Sequence, residues 1–244
     1  MKMKNNKIKR VLSIDMDLIG WQSIALYNNL VGESGAREEA FWAELEESLH
    51  INQFIKCDEK ALGFINDLFK KVIKKVDKQN IFFVKDHDMI LELLCGDANK
   101  ADEILEVYNI DHHHDIYYGE RQKEFVDRFD FTTLGCWLYY LGVHDKVEKY
   151  YWIKSPYSGD FPVSQLSDLD FPVQSDDFDK LPYDIFAMDF DYVCVCKSPD
   201  YLPIMLWDEF YKLIDIANTE KKTTYSVWQE DYCKGGKTRH IMQR

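Results

Sequence analysis

Short runs of aliphatic residues alternate along this chain with segments whose apolar residues recur at helical spacing. The first run, Val11–Ile14, stops at Asp15, and Asp17 follows two residues later. Such runs are typical of buried strands, whereas apolar residues three and four positions apart are typical of amphipathic helices. The pattern predicts strands at 11–14, 80–84, 106–110, 149–153 and 192–196, and helices at 36–49, 61–76, 89–94, 120–128 and 203–217.

The alternation of strands and helices predicts an α/β fold with three layers, α/β/α, around a mostly parallel sheet. The chain has 244 residues, of which 46% are hydrophobic, and we expect a single domain spanning 1–244 with one substantial core. We expect residues 1–10 to form a basic leader. Residues 155–182 hold most of the prolines and a run of acids, which predicts a long acidic loop.

The charge and the cysteine content argue against several classes of function. Thirty Lys and Arg stand against 43 Asp and Glu, and the net charge of −13 repels phosphate backbones and anionic lipids. We therefore expect neither a nucleic acid nor a membrane as a partner. The six cysteines include no CxxC pair, and the apolar run behind the basic leader is too short for a signal peptide, so we expect a cytoplasmic protein.

The segment Asp111-His112-His113-His114-Asp115, directly after a predicted strand, is the most informative part of the chain. In an extended conformation residues two apart share a face, so Asp111, His113 and Asp115 would project together while His112 and His114 point away. Two carboxylates and an imidazole suit a divalent ion such as Mn, Fe or Zn. The segment therefore predicts a metal site.

Two further polar clusters follow predicted strands. Asp15 and Asp17 end the first strand, and His87 comes just beyond the second. If these strand ends are neighbours in a parallel sheet, four carboxylates and two imidazoles surround one point. Carboxylates at such density repel each other unless cations lie between them, and two divalent ions would balance the four negative charges.

This set of residues resembles the metal signatures of the arginase and ureohydrolase family. Conventional arginases carry their Asp-x-Asp signature last in the chain, whereas here the best copy comes first. That order, together with the segment Ser198–Pro203 near the C-terminus, resembles the peptide arginase branch. The matching positions are His87, then Asp111-x-His113-x-Asp115, together with Ser13-x-Asp15-x-Asp17.

The resemblance implies an arginase-like fold, two Mn²⁺ ions and the conversion of peptidyl arginine to ornithine with release of urea. Its implied partner is an arginine-containing peptide. The resemblance also assigns the metal ligands, with the two acids Asp111 and Asp15 bridging both ions. It implies one manganese on His87, Asp111, Asp115 and Asp15, and the other on His113, Asp17, Asp111 and Asp15.

The implied ions also determine the chemistry. Bridging lowers the pKa of a water molecule, so that hydroxide exists at neutral pH and attacks the guanidinium carbon. By resemblance, Asp115 would orient that hydroxide. The leaving amine needs a proton, for which His112 or His114 are candidates, although an extended segment turns both away from the metals.

Three alternatives remain open from the sequence. A second Asp-x-Asp, Asp189 and Asp191, stands where conventional arginases would place it, but we prefer Asp15 and Asp17 because they follow a clean apolar strand. The same strand also resembles the nucleophile strand of haloacid dehalogenase-type phosphatases, in which Asp15 would attack phosphorus with one Mg²⁺ and Asp17 would act as acid and base. The third alternative is a catalytically inactive arginase-like protein that only binds. Within the metallohydrolases, amide deacetylation is also open, at sites that usually bind one zinc and have fewer carboxylates.

Overall fold

A computed structural model describes residues 7–20, 47–48, 50, 55–95, 102–130, 132, 135–161 and 163–228. The helix predicted at 36–49 falls, apart from residues 47 and 48, outside the described residues. So does the start of the basic leader, residues 1–6. No helix within the described ranges is long and apolar enough to cross a membrane.

Six strands form one sheet in which every pair of neighbours is parallel. They are β1 (Lys7–Asp15), β2 (Ile81–Val84), β3 (Glu103–Ile110), β4 (Val147–Lys154), β5 (Val173–Asp177) and β6 (Tyr192–Cys196). Their order across the sheet is β2-β6-β1-β3-β4-β5. After β1 the chain forms β2 at one edge of the sheet and then returns to form β3 on the other side of β1. The strand order therefore reverses beside β1. In open α/β sheets ligands bind outside the carboxyl ends of the strands at such a reversal.

Helices cover both faces of this sheet. They are α1 (Glu59–Val72), α2 (Ile90–Cys95), α3 (Glu120–Phe129), α4 (Trp137–Val143), α5 (Val163–Leu166) and α6 (Trp207–Lys221). Short 3₁₀ turns occur at Met16–Ile19, Lys78–Asn80, His87–Met89, Ile185–Ala187 and Ile204–Leu206.

Alternate residues of β1 belong to two separate hydrophobic cores. Leu12 and Ile14 pack into the core that includes α1 and α6, whereas Val11 packs into the core that includes α2, α3 and α4. Side chains of a strand point alternately to the two faces of its sheet, so one strand serves both cores. The structure is therefore the three-layer α/β/α fold with a parallel sheet that the sequence predicts.

Two sequence expectations about segments are wrong in part. The basic leader does not extend to residue 10, because Lys7 already begins β1 and lies opposite Glu103 of β3 in the sheet. The segment 155–182 is not a loop throughout, because it contains α5 and the edge strand β5. Apart from Val173, the residues of β5 are polar, and none of the five is buried, since an edge strand covers little of the core and shows no aliphatic run.

Candidate metal centre

Three strands, the neighbours β1 and β3 and the strand β2 beyond β6, deliver acids and a histidine to one edge of the sheet. Asp15 is the last residue of β1, Asp111 directly follows β3, and His87 follows β2 at the start of a 3₁₀ turn. Ile14 of β1 lies opposite Ile110 of β3, so the carboxyl ends of the two strands coincide. Asp15, Asp17, His87, Asp111 and Asp115 are all buried, each at most 4% exposed.

Asp15, His87 and Asp111 form a first group whose ligand atoms lie within 4.8 Å of one another. Nδ1 of His87 is 3.1 Å from Oδ2 of Asp15, 3.2 Å from Oδ2 of Asp111 and 2.8 Å from Oδ2 of Asp115. None of these contacts has hydrogen-bond geometry, and Nδ1 is a buried polar atom without a hydrogen bond. Three carboxylate oxygens thus surround Nδ1 of His87, and those of Asp15 and Asp111 are also close to each other.

Ser13 determines which nitrogen of His87 faces the acids. Its Oγ lies 2.6 Å from Nε2 of His87, on the far side of the ring from Nδ1. A neutral imidazole that donates a hydrogen bond from Nε2 presents a lone pair at Nδ1. This arrangement is typical of metal-ligating histidines, whose second nitrogen is held by a neighbouring group.

A second group consists of Asp17, Asp111 and His113, again with ligand atoms within 4.8 Å of one another. Nδ1 of His113 is 2.7 Å from Oδ2 of Asp17 and 3.8 Å from Oδ1 of Asp111. Asp111 belongs to both groups, with Oδ2 toward His87 and Oδ1 toward His113. Its carboxylate is therefore placed to bridge two ions.

The segment from Asp111 to Asp115 reaches this arrangement by a turn, so the extended conformation expected from the sequence is wrong. The main-chain N–H of His113 donates to Oδ1 of Asp111 at 2.7 Å, and Asp115 has a left-handed backbone with φ of 51°. The carbonyl of Asp115 accepts a hydrogen bond from Leu138 in α4. The turn still brings Asp111, His113 and Asp115 to the centre.

The rings of the other two histidines of the segment contact other groups, while the main-chain N–H of His112 donates to Oδ1 of Asp17 at 3.3 Å. Nδ1 of His112 is 3.1 Å from Oγ of Ser158. The ring of His114 stacks on Tyr118, with centroids 4.4 Å apart, and contacts Trp152 and Phe161. Of the two candidate proton donors, His114 is thus enclosed by aromatic rings.

Burial and mutual repulsion disfavour the ionised acids of the centre. Burial, then the charges of Asp115 and Asp15, raise the pKa of Asp111 to about 7. Burial raises the pKa of Asp15, with Asp17 adding to it, and raises the pKa of Asp17, with Asp111 adding to it. These raised pKa values indicate that the centre has more negative charge than the protein itself neutralises.

The two histidines of the centre favour their charged form, whereas the acids disfavour theirs. Burial lowers the pKa of His113, but Asp17 and Asp111 outweigh burial and raise the pKa to about 10. Burial likewise opposes charging of His87, yet Asp115 and the other acids raise its pKa well above the usual range. Burial, together with the neighbouring His113, lowers the pKa of His112 to about 3 and that of His114 to about 4.

Hydrogen bonds from three further side chains fix the carboxylates. Oγ of Ser198 donates to Oδ2 of Asp15 at 2.7 Å, and Nδ2 of Asn109 donates to Oδ2 of Asp111 at 3.1 Å. Nε1 of Trp137 donates to Oδ2 of Asp115 at 2.6 Å. Sequence reasoning missed these roles for Asn109 and Trp137. Asn109 had a signal, because it lies two residues before Asp111 on the same face of β3.

The second Asp-x-Asp lies at the opposite edge of the sheet, so the alternative that it supplies the ligands is wrong. Asp191 directly precedes β6, and its carboxylate pairs with Lys9 and with the main-chain N–H of Arg10 near the amino end of β1. Asp189 is exposed and forms an ion pair with Lys75 at 2.6 Å. The amino ends of these parallel strands are remote from the carboxyl ends that carry the centre.

Searches of protein-family models, curated proteins and solved structures find no match to this chain. The geometry of the centre combines a shared carboxylate in Asp111 with a buried imidazole nitrogen, Nδ1 of His87, that faces three acids.

Proposed function

We propose that this protein is a manganese-dependent hydrolase with a binuclear centre that acts on a guanidino group, converting peptidyl arginine to ornithine and urea. The observation that carries the proposal is the position of Asp111, which belongs to both groups of ligand atoms. The buried Nδ1 of His87, which makes no hydrogen bond, supports a cation at that point.

The donor atoms fit divalent ions of intermediate hardness. Carboxylate oxygens dominate both groups, and each group has one imidazole, a combination that suits Mn, Fe and Zn. We assign one ion to Asp15, His87, Asp111 and Asp115, and the other to Asp17, Asp111 and His113. The family resemblance adds Asp15 as a second bridge. Here Oδ2 of Asp15 faces the first group, while Oδ1 accepts the main-chain N–H of Asp17 at 2.9 Å.

When bound, two such ions would lower the pKa of a water between them and make it a nucleophile at neutral pH. Asp115 lies beside this position, and Trp137 holds one of its oxygens. Of the two histidines proposed to protonate the leaving amine, His112 is the more accessible, because the ring of His114 is packed against Tyr118 and Phe161. The lowered pKa of both imidazoles leaves them neutral near pH 7, so His112 would pass on a proton received from water rather than hold one.

The substrate class follows from charge and from the family resemblance. A guanidinium ion is a planar cation, and the net charge of −13 favours the approach of cations. The resemblance to peptide arginases adds that the guanidinium ion belongs to an arginine within a peptide. Cys57 and Cys196 are thiols in the structure, which supports a reducing compartment such as the cytoplasm.

The phosphatase alternative uses Asp15 and Asp17 with one Mg²⁺ and assigns no role to His87, His113 or Asp111. The arrangement of these three residues around the same acids therefore favours the binuclear hydrolase. An inactive binding protein would have the same geometry, and only turnover distinguishes it.

The test is to incubate the manganese-loaded protein with a library of arginine-containing peptides and to measure urea together with ornithine by mass spectrometry. We expect urea and ornithine in equal amounts from the wild type, none from Asp111→Asn, and wild-type turnover from Asp189→Asn. Hydrolysis of phosphate esters with Mg²⁺, without urea release, would contradict the proposal.

A further inference from the structure

The turn that follows β6 contacts both ligand groups of the centre. Ser198 has a left-handed backbone with φ of 51°, and its hydroxyl donates to Asp15 in the first group. The carbonyl of Ser198 then accepts hydrogen bonds from the main-chain N–H groups of Tyr201, at 3.0 Å, and Leu202, at 2.8 Å. The position of Tyr201 is thus fixed relative to the acids.

Tyr201 lies against the second ligand group. Its ring centroid is 4.7 Å from that of His113, with the two planes inclined by 54°. The side chain is half-buried, and the acids Asp17, Asp115 and Asp15 all act electrostatically on its hydroxyl. Tyr201 therefore forms part of the wall of the centre while remaining accessible from outside.

The hydroxyl of Tyr201 makes no hydrogen bond to any residue in the part of the chain that the structure describes. Neighbouring tyrosines differ in this respect. The hydroxyl of Tyr118 accepts the main-chain N–H of His114 at 2.8 Å, and its ring stacks on that of His114. The hydroxyl of Tyr150 donates to the carbonyl of His114 at 2.9 Å. The hydroxyls of these two tyrosines are thus engaged in hydrogen bonds with the main chain, whereas the hydroxyl of Tyr201 makes none to the described residues.

A tyrosine in this position offers two features that recognise a guanidinium ion. Its ring face attracts a cation, and its hydroxyl oxygen accepts a hydrogen bond from an N–H group. The acids of the centre are committed to metal ions when these are bound, so a neutral oxygen beside them is a suitable acceptor for the substrate. Such an acceptor adds no further negative charge to a site that already has an excess.

We propose that Tyr201 is a substrate-binding residue of the centre, which accepts a hydrogen bond from the guanidinium group of the substrate and packs its ring beside that group. This inference rests on the proposed function. A residue of the turn after β6, and not a metal ligand, then selects the planar cationic group.

The experiment compares Tyr201→Phe, which keeps the ring, and Tyr201→Leu, which removes it, with the matched control Tyr211→Phe. Tyr211 lies on α6, and its ring contacts Phe210 and Lys197 rather than any acid or histidine of the centre. For each manganese-loaded protein, the measurements are metal content, melting temperature, kcat and KM for an arginine peptide, and inhibition by guanidinium ion.

We expect Tyr201→Phe to keep two manganese ions and the wild-type melting temperature. Loss of one hydrogen bond to a charged group should lower kcat/KM about tenfold and weaken guanidinium inhibition by a similar factor. Tyr201→Leu should lose more, because the ring contact is also removed, and Tyr211→Phe should match the wild type.

Three other outcomes would overturn the inference in distinguishable ways. An active wild type with unchanged kcat/KM in Tyr201→Phe would leave the proposed function intact and exclude Tyr201 from substrate binding. Loss of manganese in Tyr201→Phe would show a structural role at the metal site instead. A wild type that holds two ions but releases no urea would overturn the proposed function, and this inference with it.

Discussion

Nδ1 of His87 lies 3.2 Å from Oδ2 of Asp111, and the contact lacks the geometry of a hydrogen bond. Two polar atoms at this distance in a buried site require either a shared proton or a cation between them. A cation at this point, with the Ser13 hydroxyl on the other nitrogen of His87, is what the proposed function requires.

Replacing Ser13 by alanine should weaken the first metal site more than the second. Without the Ser13 hydroxyl, the Nε2 hydrogen of His87 loses its acceptor, and the ring is free to change tautomer and orientation. Loss of such an outer contact typically lowers metal affinity about tenfold or more. Titration calorimetry with Mn²⁺ would resolve the two sites. Ser175→Ala, on the exposed face of β5, is the control and should bind both ions as the wild type does. Equal weakening of both sites would argue against this role for Ser13.

The two histidines beside the centre should respond differently to alanine substitution. His114 is buried among aromatic rings, and its Nδ1 accepts the main-chain N–H of Ile116, so His114→Ala should lower the free energy of unfolding by about 2–4 kcal/mol. His112→Ala should fold and bind manganese normally but lower kcat by about a hundredfold, if His112 supplies the proton.

Denaturant titration and steady-state kinetics of the two variants provide the check. A stable His114→Ala protein with greatly reduced turnover, beside a fully active His112→Ala protein, would reverse the assignment of the proton donor.

The metal-free protein should lose stability as the pH rises. Asp111 has a folded-state pKa of about 7 against an ordinary value of 3.8, and His113 has about 10 against 6.5. Both groups bind protons more tightly in the folded state, so the stabilisation present at low pH is lost between about pH 4 and 7 for Asp111, and between about 6.5 and 10 for His113.

Chelated and manganese-loaded samples should therefore show different pH profiles of thermal stability. In the loaded protein the ions replace the protons, so the loss of stability above pH 6 should be smaller. A metal-free protein whose melting temperature rises steadily from pH 5 to pH 9 would contradict the charge excess inferred for the centre.

The strand ends that carry the acids could be predicted from sequence because a local pattern defines them. Val11–Ile14 is a continuous apolar run that stops at Asp15, and the run before Asp111 behaves in the same way. In a parallel sheet these endings share one edge, and they lie close together because β1 and β3 are neighbours in the strand order. Asp189 and Asp191 could be ranked lower for the same reason, since they precede a strand.

The path of the chain around Asp115 could not be predicted, because it depends on a distant helix. Asp115 adopts a left-handed backbone while its carbonyl and carboxylate accept hydrogen bonds from Leu138 and Trp137 in α4. That helix is short and almost entirely buried, so it shows no alternation of polar and apolar faces in the sequence. The edge strand β5 escaped prediction for the opposite reason, because it is polar and exposed.

The most direct test is the metal content of the manganese-reconstituted protein, measured by elemental mass spectrometry beside Asp111→Asn and Asp189→Asn. The account predicts two equivalents in the wild type and in Asp189→Asn, whose side chain is at the far edge of the sheet. It predicts loss of both ions in Asp111→Asn, because the bridging carboxylate belongs to both groups. A wild type that holds a single ion, retained in Asp111→Asn, would contradict a binuclear centre that depends on Asp111.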